Sequence, residues 1–195
     1  MQSEQDRWNE RYAAADARRR SVGRVLADHI DHLPVEGRAL DIAGGDGIEA
    51  CWLALRGLHT SLIDVSDIAL EQANQLASEL GVTIETLHLD LDNESVPDGP
   101  WDLVHIGHFL DRKVLLRAFE VCEGMLFVAI ATQGNLEKHD RPPRRFLLEE
   151  GELARLAERH ADRYEIITSD EAWRKNGNFE AWLVARRRPA DGQDR

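Results

Sequence analysis

From residue 38 onward the chain alternates short apolar runs with stretches of helical spacing, and this alternation limits its possible folds more than any other feature. Residues 38–43, 59–65, 82–89, 101–107 and 125–131 read as strands. Between them helices are predicted over 48–56, ended by Gly57, over 66–80, closed by Gly81, and over 112–123, stopped at Gly124. A polar loop at 90–100 and a Gly- and Pro-bearing loop at 132–145 interrupt the pattern; a helix at 149–160 and strands at 163–169 and 179–187 complete it. Strands separated by helical crossovers pair in parallel, and the helices then cover both faces of the sheet. The last link, 170–178, is too short for such a crossover, so the final two strands are expected as an antiparallel hairpin. The expectation is an α/β three-layer sandwich on a mostly parallel seven-stranded sheet with an antiparallel C-terminal hairpin.

Ahead of this core, residues 8–20 are predicted helical, with Trp8, Arg11 and Tyr12 on one face. A second helix, capped by Ser21, places Val22, Val25, Leu26, Ile30 and Leu33 on one stripe and stops at Pro34. With 195 residues the chain is one domain's worth: 1–188 as a single unit, 1–35 as a helical cap, 36–188 as the core, and 189–195 as a flexible tail. The net charge of −12 argues against a general grip on nucleic acid or on an anionic membrane, since both need a positive field. Cys51 and Cys122 form no disulfide framework and lack metal-ligand spacing, so they read as small core residues in a reducing compartment. The amino terminus is polar, unlike a signal peptide, and no apolar run approaches the ~18 residues of a membrane span. Together these predict a cytoplasmic protein.

Chemistry first enters at Asp41-Ile42-Ala43-Gly44-Gly45-Asp46-Gly47, which runs out of the first predicted strand and into a helix. A turn nearly free of side chains lets a cofactor lie against the backbone, and the following helix aims its N–H groups and dipole at it. Gly45-x-Gly47-x-x-Ala50 also fits the dinucleotide fingerprint, with Asp64 ending the next strand. On residues alone the turn is compatible with several nucleotide cofactors, or with a tight turn that binds nothing. The short link before the last strand speaks against a dinucleotide half-fold, which would continue with another crossover.

Residues 38–90 resemble the cofactor half of a class I S-adenosylmethionine-dependent methyltransferase, a Rossmann-like fold. Asp41, Ala43, Gly45 and Gly47 match its first motif, with Ala43 in place of the commonest first glycine. Trp8-Asn9-Glu10-Arg11-Tyr12 resembles the W-x-E-R-Y opening of the tellurite-resistance and thiopurine methyltransferase-like group, whose amino-terminal segment folds over the cofactor. Trp101–Val104, Phe109–Arg112, and Arg145–Leu148 followed by Glu152-Leu153, are similar to further segments of that group.

The resemblance implies S-adenosyl-L-methionine as cofactor, held by Trp8, Arg11, Asp41, Ala43, Gly44, Gly45, Gly47, Asp64, Val65, Asp90, Leu91 and Gly107. Within that set Asp64 would accept from both ribose hydroxyls, since a carboxylate suits a vicinal diol. Asp90 would face the adenine amino group, with the Leu91 backbone near the ring. The implied reaction is methyl transfer to a small-molecule nucleophile by in-line displacement. Rival readings are an NAD(P)-binding oxidoreductase, and a non-catalytic cofactor-binding scaffold or sensor.

Three other features carry weaker signals. His105-Ile106-Gly107-His108 spells the HIGH signature of nucleotidyl transferases, but it ends the fourth strand and no lysine-serine partner follows, so the match reads as coincidence. His108 is retained as the candidate catalytic residue because that strand end lies beside the first strand. Lys138, His139, Arg141, Arg144 and Arg145 make a basic cluster after the fifth strand, with Arg141, Arg145 and Tyr12 as candidate substrate contacts. Arg18-Arg19-Arg20 and Arg186-Arg187-Arg188 read as solvated, and Asp92, Glu94 and Asp98 as solvated acids rather than a metal site. No metal ligands are assigned, and the oligomeric state is not legible.

Overall fold

The computed structural model describes residues 3–14 and 21–189. Seven strands form one sheet in the order β3-β2-β1-β4-β5-β7-β6. They are β1 (Arg38–Ile42), β2 (His59–Asp64), β3 (Glu85–His88), β4 (Trp101–Gly107), β5 (Cys122–Ala131), β6 (Tyr164–Trp173) and β7 (Phe179–Arg187). The first five pair in parallel, and β7 lies antiparallel between β5 and β6. The α/β sandwich with a reversed C-terminal hairpin is therefore as predicted, and its turn shortens to residues 174–178, with Arg174 N donating to Asn178 O at 2.8 Å.

Strand periodicity sorts the core. Leu40, Ile42, Val104, Ile106, Leu126, Val128 and Leu183 face α5 (Arg112–Val121) and α6 (Glu152–Arg159). Their neighbours Ala39, Leu103, Met125, Phe127 and Val184 face Val25 and Leu26 of α2 (Arg24–Ala27) and Leu53 of α3 (Ile48–Ala54). On that second face, Leu70, Ala73 and Ala77 of α4 (Asp67–Leu80) cover Leu62 of β2. The predicted closure of α4 at Gly81 is present, at φ 68°, and the Ser66 side chain caps the start of the helix by accepting from Ala69 N. Cys51 and Cys122 are free and buried.

Two predicted elements differ. The helix expected from Ser21 to Pro34 breaks into α2, which starts after Gly23, and a 3-10 turn at Ile30–His32. Gly23 N donates to the Glu49 side chain at 2.9 Å, which anchors the start, and Ile30 is rotated off the apolar stripe onto the surface. Gly124 does not stop α5; the chain passes from Val121 directly into β5. Tyr164 Oη donates toward the carbonyls of Phe119 and Cys122 at 2.9 and 2.6 Å, where helix carbonyls lack partners. Gly124 serves close approach instead, because a Cβ there would collide with the Asp102 carbonyl oxygen of β4. The first helix, α1 (Glu4–Ala14), begins earlier than predicted. The predicted continuation over 15–20, with Arg18, Arg19 and Arg20, and residues 190–195 of the tail lie outside the described residues. Among the described residues no helix is long and apolar enough to cross a membrane.

Candidate functional site

Strand order reverses between β1 and β4, since β1 is followed by β2 on one side and β4 on the other. In open α/β sheets this switch point opens a crevice at the carboxyl ends of the strands. The turn 43–47 occupies that place. Ala43, Gly45 and Gly47 all have left-handed φ, at 53°, 59° and 78°. Gly44 N donates to Ile63 O at 3.2 Å, which ties the turn to β2. Gly47 cannot be enlarged cheaply either, because a Cβ would sit 2.6 Å from the Ala73 Cβ.

Asp64 ends β2 beside the turn and is nearly buried. Its Oδ2 accepts from Gly45 N at 3.0 Å and its Oδ1 from Ser66 N at 2.9 Å, so two backbone donors fix the carboxylate plane. Burial pushes its pKa up, against the pull of those two hydrogen bonds. Val65 follows, half-buried, on the same lip.

Beneath the turn lies an arrangement that the sequence did not reveal. Asp41 Oδ1 sits 2.7 Å from His105 Nδ1, with side chains 1% and 3% exposed. Oδ2 has no hydrogen-bond donor and lies directly under Gly44, where a Cβ would collide with it. Burial disfavours charge on His105, but the hydrogen bond and charge of Asp41 outweigh it and raise the pKa. Glu49 of α3 is also raised, first by burial and then by Asp41. Asp41 was expected to touch cofactor; it supports the turn from below, and His105 is its partner. The register pairing Asp41 with His105 across β1 and β4 would have located the pair, had the strand pairing been known.

Helix α1 covers the turn from above. A Cβ on Gly45 would collide with the Tyr12 hydroxyl, so Tyr12, a candidate substrate contact, meets the turn itself. Its ring lies 6.0 Å from that of Trp8, and Arg11 sits 4.9 Å from the Trp8 centroid. Asn9 Oδ1 accepts from Ser66 Oγ at 2.6 Å, and Gln72 Nε2 donates to Tyr12 O at 3.2 Å. These polar clips, absent from the motif reading, dock α1 beside Asp64.

Asp90 lies beyond the end of β3 and holds its own turn: Oδ1 accepts from Asp92 N at 3.1 Å and Oδ2 from Asn93 Nδ2 at 2.7 Å. Leu91 packs against the core beside it. Gly107 ends β4 above His105, whose Cε1 would lie 2.9 Å from a Cβ. His108 follows with φ 56°, its side chain 57% exposed and Nδ1 3.6 Å from Glu180 Oε1.

The basic loop is anchored rather than free. Asn135 Oδ1 accepts from Phe179 N at 3.1 Å, His139 Nε2 lies 2.8 Å from Gly177 O, and Lys138 caps the Trp173 ring at 3.7 Å. Arg145 lies over the Phe146 ring at 4.5 Å and Arg7 of α1 approaches the same ring at 5.9 Å, so the loop meets the amino-terminal helix. Arg141 and Arg145 are exposed, and of these two only Arg145 shares a contact with α1.

Residues 39–126 match the family described as a methyltransferase domain. No curated protein matches the sequence. Among solved structures, the magnesium protoporphyrin IX methyltransferase (ChlM) of Synechocystis PCC 6803 with bound SAH is similar at 18% identity and TM-score 0.64, over 84% of this chain and 80% of that one. TehB from Haemophilus influenzae is similar at 18% identity and TM-score 0.67, over 94% of this chain and 67% of that one. The [4+2]-cyclase SpnF is similar at 17% identity and TM-score 0.65, over 91% and 86%. With the glycine turn, the buried Asp64 and the reversed β7 in place, residues 39–126 are similar to a methyltransferase domain and the chain shares the Rossmann-like fold of these solved structures.

Proposed function

We propose that this protein transfers the methyl group of S-adenosylmethionine to a small-molecule nucleophile by in-line displacement. The observation that carries the reading is the carboxylate of Asp64, held by Gly45 N and Ser66 N beside a glycine-rich, left-handed turn at the switch point of the sheet. That cradle fits the cofactor: a fixed carboxylate suits a ribose diol, and a glycine-rich turn suits close approach of backbone to ligand. When bound, S-adenosylmethionine supplies an electrophilic methyl carbon on a sulfonium that leaves as a neutral thioether.

The chain's own work is then binding, alignment and exclusion of water. Asp64 fixes the ribose; Val65 and Leu91 offer apolar contact to the base, with Asp90 at its edge. Trp8 and Tyr12, carried on α1, close over the turn and exclude water from it. Arg11 stacks on Trp8 and stiffens that cover. Gly107 and His108 form the β4 wall, on the side from which an acceptor enters. Arg141 and Arg145 border that entrance. Holding two reactants in line supplies about 7–11 kcal/mol of barrier reduction in favourable cases, so no elaborate acid–base machinery is required. The acidic surface suits a cationic cofactor. Free, buried Cys51 and Cys122 are in keeping with a reducing, cytoplasmic setting.

A second reading has a specific observation in its favour: a [4+2]-cyclase shares this fold at TM-score 0.65, so the scaffold does not dictate methyl transfer. Methyl-labelled donor incubated with pools of thiols, amines, carboxylates and phenols separates the two. Label in an acceptor supports the transferase; bound donor with no labelled product in any pool supports a scaffold, a sensor or another chemistry.

A further inference from the structure

We infer that His108 and Glu180 form a proton-accepting pair on the acceptor side of the site, in which His108 takes the proton of a protic nucleophile and Glu180 positions it. The inference rests on the methyl-transfer reading and extends it to the class of acceptor: one that carries its proton at neutral pH, such as a phenol or an alkyl thiol.

The first observation is strain. Among the described residues only Ala43 and His108 combine a side chain with a left-handed φ, and both flank the crevice between β1 and β4. Such a backbone is strained for an L residue. It is retained although His108 N still donates to Ala129 O at 2.8 Å, so the strand ladder continues while the side chain leaves the strand's alternation. Strain of this kind concentrates where a side chain must point somewhere specific.

The second observation is an acid in an apolar row. Glu180 opens β7 opposite Ala131, on the face that continues through Trp182 and Val184, and it is 5% exposed. Packing alone gives no reason for a carboxylate there, and a buried carboxylate needs donors. The hairpin turn supplies them: Asn176 Nδ2 donates to Glu180 Oε1 at 2.9 Å and Asn178 Nδ2 to the same oxygen at 3.4 Å. Asn178 N in turn donates to Asn176 Oδ1 at 3.0 Å, which stiffens the turn. The oxygen so held is the one 3.6 Å from His108 Nδ1.

The third observation is orientation. With Nδ1 toward the carboxylate, the proton of neutral imidazole is favoured on Nδ1, and Nε2 keeps a lone pair. Nε2 has no hydrogen-bond partner among the described residues, and the side chain is 57% exposed. Of the charged groups nearby, Glu180 is the one in contact with the ring. β5 presents Ala129 and Ala131, and Asp111 is committed to the N–H groups of Lys113 and Val114 at the start of α5. A separation of 3.6 Å is an ion-pair distance rather than a hydrogen bond, and such contacts tighten when a site is filled.

In the transfer step the acceptor's X–H proton passes to His108 Nε2. The X–H electron pair forms the new bond to the methyl carbon, and the carbon–sulfur pair leaves with sulfur. Imidazolium and neutral thioether remain, so charge is conserved, and imidazolium beside Glu180 returns its proton to water.

Nitrogen-15 NMR of the full chain tests the pair directly, with His108→Gln used to assign the signal. In the unaltered protein the neutral ring should carry its proton on Nδ1. A proton on Nε2 in the unaltered protein would overturn the pair. In transfer assays with 4-methylphenol, His108→Gln should lose about 100-fold or more in rate and Glu180→Gln about tenfold, in line with general-base catalysis. With 4-nitrobenzenethiol, already ionised at neutral pH, both losses should be at least about tenfold smaller than with 4-methylphenol. Equal losses on the two probes would contradict a role in proton removal. The tautomer measurement needs neither donor nor acceptor, so it decides the pair even where donor binding fails and the methyl-transfer reading falls.

Discussion

Replacing His105 with leucine should unfold this protein far more readily than an ordinary core substitution, because of what it leaves behind. Asp41 is 1% exposed, its Oδ1 loses the contact at 2.7 Å, and its Oδ2 has no donor to begin with. Glu49 then faces Asp41 without the countercharge that now lowers its pKa. Removing one partner of a buried ion pair costs about 3–5 kcal/mol, against a total stability of about 5–15 kcal/mol. With a urea slope near 2 kcal/mol per molar, the midpoint should drop by roughly 1.5–2.5 M. Replacing both partners, as in Asp41→Val/His105→Leu, removes the stranded charge and should recover most of the loss, since apolar pairs of similar volume are often neutral. The cost of His105→Leu should be largest in mild acid, where imidazolium is fully formed, and should shrink as pH rises through the raised pKa of His105. A single-variant cost below about 1 kcal/mol, or a double variant worse than the sum of the singles, would refute the account of a charged pair beneath the turn.

Gly124→Ala should destabilise by about 1–3 kcal/mol or more, because the Asp102 carbonyl oxygen it strikes is backbone and cannot step aside; thermal melts would show it. Gly45→Ala should cost about 1–2 kcal/mol for its left-handed φ, with a further loss from the collision with the Tyr12 hydroxyl. That second part should disappear in a Tyr12→Ala background, as a double-mutant cycle in urea would report. As pH rises from about 6.5 through the raised pKa of His105, the folding stability should decline. His105 and Glu49 have raised pKa values in the folded state, so the native protein binds protons more tightly and loses stability as they leave. His160, lowered chiefly by burial, acts in the opposite sense, but its stabilisation is complete above its ordinary value near 6.5. Urea midpoints that rise across this range would contradict the assignment.

The core elements were legible because their signals are local. Alternating apolar runs and the closing Gly81 mark α4 and its flanking strands, and the short final link marks the hairpin. The misreadings arose where tertiary contacts override local chemistry. Gly124 looks like a helix stop, yet its lack of a side chain answers to Asp102 on a neighbouring strand. The stripe from Val22 to Leu33 looks like one helix, but Gly23 is held by Glu49 from α3 and the helix restarts there. Within the site, the turn and Asp64 could be read from spacing, whereas His105 was dismissed with a spurious four-residue match. Its meaning depends on the β1–β4 register, and that register is set by pairing 64 residues apart. Glu180 was invisible for the same reason: it reaches His108 only because β7 runs antiparallel beside β5.

Isothermal titration calorimetry with S-adenosylmethionine and with its demethylated product tests the central claim most directly. Both should bind the unaltered protein, and Asp64→Ala should weaken both by at least about tenfold, the scale of a lost hydrogen bond to a charged group. Binding of neither ligand to a folded protein, or binding that is indifferent to Asp64→Ala, would contradict the assignment of the cradle at Ala43–Gly47.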